Sequence, residues 1–388
     1  MTHASTVDGI VVALVVGVRL VVPLFIGRFP LPAILASLVV DGLDKSILQA
    51  FTGLDLTNYQ SYDKALDIYY LSITYLAVLR NWRDRYAVNV VAALWYYRLV
   101  GVLLFELTGL RWLLLVFPNT FEYVVIALEV VRTRWDQRRL SHRAVLGLTA
   151  FVWIVIKLPQ EWWIHVAQLD FTDEFLTRVL GVDPDEGWAA GFANRPWVLA
   201  ALVGLVVALA LGLRWLWPRL PAADWAFTLD ADEVARRSGA PVRPAGVRAA
   251  VTRWAVVEKV VLVGLVTTIL VLSYPRIDAR WWAAWVVVAG VVLVHAAVQV
   301  WRVRTSRTGP TSLPGLVALN TAISLVAMSV LAALVADGRT GDVALVDALL
   351  MAFVVGLMTA LYDRWAPESW TARRGEPAPL TAGADSSR

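Results

Sequence analysis

The stretch VVDGLDKSILQAFTGLDLTNYQSYDKALDIYY, residues 39–70, sets Asp41, Asp44, Lys45, Asp63, Lys64 and Asp67 into a chain that otherwise reads as one apolar helix after another. Near the centre of a membrane helix each of Asp41, Asp44 and Lys45 costs about 2.5–3.5 kcal/mol on insertion scales, while an aliphatic residue returns only about 0.3–0.6 kcal/mol. The window 33–51 holds nine Leu, Ile, Val and Phe residues, so its sum is unfavourable. A helix here must turn its charges toward partners, water or a ligand inside a bundle. On such a helix Asp41, Asp44 and Lys45 share one face, with Gln49 a turn further, and on the next Gln60, Asp63, Asp67, Tyr70 and Thr74 share another.

The rest of the chain supplies the bundle. It is 388 residues long and 59% hydrophobic, with mean hydropathy +0.63, which is too much apolar surface for one water-soluble core. Apolar windows fall at roughly 9–27, 33–51, 63–79, 86–104, 112–131, 144–164, 197–216, 254–272, 281–301, 315–335 and 343–362. The fold expected is all-α, a polytopic membrane protein with about 11 transmembrane helices. The first window has no basic region before it and no small-residue cleavage pattern after it, and reads as a retained span.

Arginine sets the expected orientation. Alternate loops hold Arg28; Arg80, Arg83 and Arg85; Arg132 to Arg143; Arg214 to Arg253; and Arg302 to Arg307, whereas the other set includes the acidic loop LDFTDEFLTRVLGVDPDEGW. This bias predicts an outside N-terminus and a cytoplasmic C-terminus, in the cytoplasmic membrane. The chain then divides into helices 1–7 over residues 1–216, a cytoplasmic loop with a short helix over 217–253, helices 8–11 as scaffold over 254–362, and a disordered tail over 363–388. The short helix, within TLDADEVARRSG, reads as a small surface element with Asp at its start and Gly at its end. No internal repeat supports an inverted-repeat transporter.

Polar residues of separate windows share one half of the bilayer. Arg98 falls in the outer half of the fourth window, and Asn119 and Glu122 follow Pro118, which frees a carbonyl and opens a kink. The sixth window ends in KLPQEWWIHVAQLD, which puts Lys157, Glu161 and His165 on one stripe. There are thirty-one arginines but only four lysines, Lys45, Lys64, Lys157 and Lys259, each at or inside a window beside a carboxylate. Arginine does the surface work, so these lysines read as compact, titratable charges.

Two chemistries fit this pattern. Asp41, Asp44, Asp63 and Asp67 would cage Mg²⁺, Mn²⁺ or Ca²⁺, with Lys45, Lys64, Arg98, Glu122 and Lys157 receiving substrate and Glu161 or His165 moving protons. Alternatively the charges pair internally, Asp41 with Arg19 and Asp44 with Lys45 or Lys64. With no cysteine, a thiolate-ligated metal is excluded. The spacing Asp-x2-Asp followed by Asp-x3-Asp resembles the aspartate skeleton of the CDP-alcohol phosphatidyltransferases, over fewer than thirty residues. Lys45, Leu48, Gln49 and Tyr59 stand where that family has Gly, Ala, Arg and Gly, the gap is one residue longer, and that family's site faces the cytoplasm. The expected activity is an enzyme acting on an envelope lipid or lipid-linked phosphate. The alternatives are a proton- or cation-coupled transporter and a non-catalytic membrane component. Membrane lipids are the expected partners, and nothing points to nucleic acid.

Overall fold

The computed structural model describes residues 6–52, 59–167, 169, 171–239, 253–273, 281–305, 312–335 and 345–374. Among them every regular element is helical. In order these are α1 (Thr6–Val21), α2 (Pro30–Phe51), α3 (Tyr59–Asn81), α4 (Arg85–Thr108), α5 (Trp112–Val116), α6 (Thr120–Arg132), α7 (His142–Phe151), α8 (Leu158–Glu161), α9 (Phe171–Glu174), α10 (Gly187–Asn194), α11 (Pro196–Leu216), α12 (Ala231–Arg237), α13 (Arg253–Ser273), α14 (Trp281–Thr305), α15 (Leu313–Val335) and α16 (Leu345–Arg374). Each of the eleven apolar windows is mostly helical over its described residues. Six stretches are long and apolar enough to cross a membrane: Val7–Phe25, Arg85–Thr108, Trp112–Arg132, His142–Val166, Pro196–Arg219 and Leu349–Ala366. These apolar helices suggest a membrane protein. α2 does not qualify, and it carries Asp41, Asp44 and Lys45. The last helix runs through Pro367 to Arg374, where the sequence was read as tail.

Local chemistry sets several boundaries. The Asp84 carboxylate accepts from Tyr86 N at 2.9 Å to start α4, and Gly109, at φ 69°, ends it in the left-handed conformation. Pro118 does more than kink its span: α5 stops at Val116 and α6 starts at Thr120. Two carbonyls freed at this break are taken by α4, since the Tyr97 hydroxyl donates to Val116 O at 2.7 Å and Arg98 Nη1 to Phe117 O at 3.0 Å. Gly101 permits the approach, because a Cβ there would overlap the Phe117 side chain. After α7 the span continues as a π-helical turn over Val152–Lys157, through α8, into a second over Trp162–Val166. Such wide turns recur at functional sites.

α3 is the axis of the core. From Ile68 to Leu79 its residues are buried almost without exception, and α1, α2, α4, α13 and α16 pack around it. Tyr75, Trp95 and Phe121 knit α3, α4 and α6 through ring contacts, Trp95 and Phe121 at 5.0 Å between centroids. The C-terminal helices join by buried polar contacts. Glu258 accepts from the hydroxyls of Tyr75 and Tyr362, both at 2.9 Å, and Lys259 pairs with Asp363 at 2.7 Å. By contrast α11 is exposed along nearly its whole length.

One end of the bundle carries Arg28, Arg80, Arg132 and Arg138. Against it docks the segment 221–239, which is more than a small surface helix. Ala231 N donates to Arg28 O at 2.8 Å, Arg80 pairs with Asp232 at 2.5 Å, and Arg28 pairs with Asp230 at 3.2 Å. Trp225 Nε1 donates to Arg132 O at 3.2 Å, Thr228 N to Thr133 O at 3.1 Å, and Asp136 N to the Asp224 carboxylate at 2.7 Å. Two cavities beneath it measure about 10 and about 20 Å³. Such space holds a water molecule and nothing larger.

Candidate functional site

Arg19, near the C-terminal end of α1, is the hub of the polar stretch. Its guanidinium reaches Asp41 and Asp44 on α2, and Asp63 at 2.8 Å and Asp67 at 3.1 Å on α3. The expected pairing of Arg19 with Asp41 is present, and three further carboxylates share the same cation. A planar guanidinium has five N–H donors spread over an arc, so it can serve several oxygens where an ammonium point charge would favour fewer. The Tyr69 hydroxyl, donating to Leu20 O at 2.9 Å, fixes α1 against α3 beside the cluster.

Burial within the cluster is uneven. Asp44 is fully enclosed and Arg19 nearly so, but the side chains of Asp41, Asp63 and Asp67 keep 27%, 32% and 37% of their accessible surface. One oxygen from each of Asp41, Asp44 and Asp63 lies within 4.8 Å of the others. Two ligands of one ion can be no further apart than two bond lengths, about 4.2 Å for Mg²⁺ and about 4.6–5.2 Å for Ca²⁺. The 4.8 Å limit falls inside the ligand–ligand range of Ca²⁺ and about half an ångström outside that of Mg²⁺, while Arg19 binds the same three carboxylates.

The structure separates two of the expected lysines from the aspartates. Lys45 is exposed on α2, turned away from the buried Asp44. Lys64 reaches Glu106 on α4 at 3.4 Å and lies 4.0 Å over the Phe105 ring. Neither makes the expected pair with Asp44, which Arg19 takes instead.

A second group gathers at the break between α5 and α6. Glu161 accepts from Asn119 N at 3.2 Å, lies 3.6 Å from the Lys157 ammonium and accepts from His165 Nε2 at 3.1 Å. Asn119 Nδ2 donates to Glu122 at 2.9 Å, and Lys157 donates to Gln160 at 2.9 Å while lying 4.4 Å over the Tyr123 ring. Lys157, Glu161 and Glu122 are each 4% exposed. Glu161 thus places a carboxylate at the positive end of α6, and Arg98 a cation at the C-terminal end of α5, as the helix dipoles favour. In the neutral His165 ring, donation through Nε2 leaves Nδ1 as the acceptor nitrogen, and that atom has no hydrogen-bond partner among the described residues.

The helices of the two groups adjoin: α2 and α4 both pack against α6, and α6 packs against the π-helical turn that ends at Lys157. Counting about 1.5 Å per residue from the arginine-rich helix ends, Asp41, Asp67, Arg98, Glu122 and Lys157 all stand roughly 15–22 Å along the bundle. Among the described residues the groups hold six carboxylates, Asp41, Asp44, Asp63, Asp67, Glu122 and Glu161, against the basic side chains of Arg19, Arg98 and Lys157. The roles of Arg19 as hub, of Asn119 as bridge and of Glu106 as the Lys64 partner were missed in the sequence. Arg19 alone carried a signal, as the one charge inside the first apolar window. No protein-family model, curated protein or solved structure matches the chain.

Proposed function

We propose that the chain is an enzyme of the cytoplasmic membrane that acts on a lipid or lipid-linked phosphate from the outer face. The observation that carries this reading is the surplus of carboxylates, four of them around one guanidinium and three within the span of a single ion. Like charges this close do not all remain ionised in a low-dielectric interior without a further positive charge. Arg19 is nearly enclosed, whereas Asp41, Asp63 and Asp67 keep accessible edges that a divalent cation could reach. Bound there, the ion would neutralise charge on a phosphate oxygen. Arg98 and Lys157 would receive the remaining phosphate oxygens. Glu161 would hold the His165 ring in one tautomer while Nδ1 takes up or delivers a proton.

Transport of a cation or proton is the competing reading. It needs a polar path onward through Glu129, Glu258 and His295, and three observations count against one. Glu129 is engaged by Trp82 Nε1 and Arg132, both at 2.6 Å, and His295 meets Asn320 O at 3.0 Å. Glu258 is held by two tyrosines. The buried rings of Tyr75, Trp95 and Phe121 pack on one another where α3, α4 and α6 meet.

The test is metal-dependent stability of the purified protein. Ca²⁺ or Mg²⁺ at about 100 times its Kd should stabilise the native protein by about 2.7 kcal/mol. Asp63→Asn should lose that gain while keeping a cooperative unfolding transition. A native protein indifferent to both ions up to about 10 mM, roughly tenfold above the weakest range for Ca²⁺ sites of about 10⁻⁴–10⁻³ M, would overturn the metal role.

A further inference from the structure

The ion pairs at the arginine-rich end of the bundle are lopsided. The side chains of Arg28, Arg138, Arg139 and Arg236 keep 51–69% of their accessible surface, whereas their partners Asp230, Asp136, Asp224 and Glu233 keep only 12–28%. Each pair is neutral in sum, yet it covers the carboxylate and presents the guanidinium. A guanidinium has five N–H donors, so each of these pairs leaves donors to spare. The groups are joined into one surface by the docked segment 221–239. Asp136 N donates to the Asp224 carboxylate at 2.7 Å, and that carboxylate pairs with Arg139 at 2.6 Å. Arg138 Nη2 donates to Ser238 O at 3.0 Å, and Arg237, just before Ser238, donates to Ala226 O at 3.0 Å, beside the exposed Phe227.

A surface of exposed guanidiniums over covered carboxylates selects an anion, and phosphate oxygens match the planar fork of arginine. The surroundings say which phosphate. α11, apolar and exposed along nearly its whole length, ends here with the exposed Trp215 and Trp217. The Arg219 guanidinium lies 3.7 Å over the Trp215 ring, and that of Arg134 lies 4.8 Å over Trp217. Arg134 precedes Arg138 and Arg139 by about one helical turn of sequence, so the arginine surface borders the end of an apolar span. Tryptophan and arginine together at such an end are the signature of the headgroup layer of a bilayer. A soluble phosphate would meet the guanidiniums and leave the aromatic rings and α11 bare, whereas a lipid meets both. We propose that this end of the bundle binds an anionic phospholipid, with its headgroup phosphate on Arg138, Arg139 and Arg236 and its acyl chains along the exposed side of α11. The proposal uses the apolar spans and not the aspartate site, so the two readings stand or fall separately.

The experiment is binding of phosphatidylglycerol and phosphatidylcholine, with the same acyl chains and the same fluorescent label, to the full chain in nonionic detergent. Each arginine beside an anionic lipid surface adds about fivefold in affinity. Phosphatidylglycerol should therefore bind at least about tenfold tighter than phosphatidylcholine. Arg138→Gln with Arg139→Gln should weaken phosphatidylglycerol by roughly twentyfold and leave phosphatidylcholine unchanged. Those two arginines also hold the docked segment, so Arg236→Gln, whose side chain bonds only within its own helix among the described contacts, provides a second variant with an expected loss of about fivefold. Equal binding of the two lipids to the unaltered protein overturns the proposal, whether or not a variant folds. Phosphatidylglycerol binding that survives unchanged in both variants overturns the assignment to this surface. Displacement of the labelled lipid by glycerol 3-phosphate at the concentration at which unlabelled phosphatidylglycerol displaces it overturns the lipid source in favour of a soluble phosphate.

Discussion

Replacing Arg19 with leucine removes the cation that all four aspartates share. Two carboxylates 4.8 Å apart repel by about 3.5 kcal/mol at an effective dielectric constant of about 20. That repulsion acts between several pairs once the guanidinium is gone. Asp44, with no accessible side-chain surface, bears most of it, whereas Asp41, Asp63 and Asp67 retain contact with solvent that screens their share. The expected loss is about 3–5 kcal/mol, as for other buried ion pairs broken from one side. Unfolding by SDS in mixed micelles, followed by tryptophan fluorescence with EDTA present, measures it. Arg19→Leu with Asp44→Leu should recover at least half of the loss, because the deepest unpaired charge is then absent. Adding Ca²⁺ should help Arg19→Leu more than the unaltered protein, since the ion meets four carboxylates with no competing guanidinium. A loss below about 1 kcal/mol, or a double variant no better than the single, would refute the hub.

Three other outcomes follow from features elsewhere. A reporter active only outside the membrane should work when fused near Asp183 and fail near Arg237, and the reverse pattern would turn the site to face the cytoplasm. Lys259→Met should cost about 3–5 kcal/mol in the same unfolding assay, with Lys259→Met plus Asp363→Leu recovering much of it; additive losses would mean that the two do not interact. Burial tends to raise the Asp136 carboxyl, but the side-chain and backbone N–H groups of Arg138, with Arg139 beyond, hold it below the usual carboxylate range. The folded value is the depressed one, so its stabilisation is fully present above the unfolded value of about 3.9 and is lost as pH falls through the folded value. The stability difference between the unaltered protein and Asp136→Asn should therefore be constant near neutrality and shrink below about pH 4; a difference that grows with acid would contradict this sign.

The helices were legible because a helix in lipid must satisfy its own backbone, which makes an apolar run of sufficient length a local signal. The common depth of Asp44, Asp67, Arg98, Glu122 and Lys157 was legible for a similar reason, since it needs only the rise per residue. What the sequence hid were rotations and neighbours. Lys45 follows Asp44 directly, and one residue of helix turns it through about 100° to the opposite environment. Lys64 looked like a partner for the aspartates until α4 brought Glu106 beside it. Arg19 was visible as a partner for Asp41 but not for four carboxylates, because that depends on α1 lying in the groove between α2 and α3. The docked segment 221–239 was hidden most completely. Its contacts are polar, distant in sequence and partly made by backbone, so no periodicity announces them.

That segment also orders events during synthesis. Its partners lie between Arg28 and Arg139, in the turn before α2, on α3 and α6 and in the turn after α6, yet it leaves the ribosome only after α11. The early helices must therefore be inserted and held together by their own packing before this clasp can close over their ends. A chain interrupted before residue 221 would contain every charged residue of the site and still lack the fastening that joins the start of α2 to the end of α3.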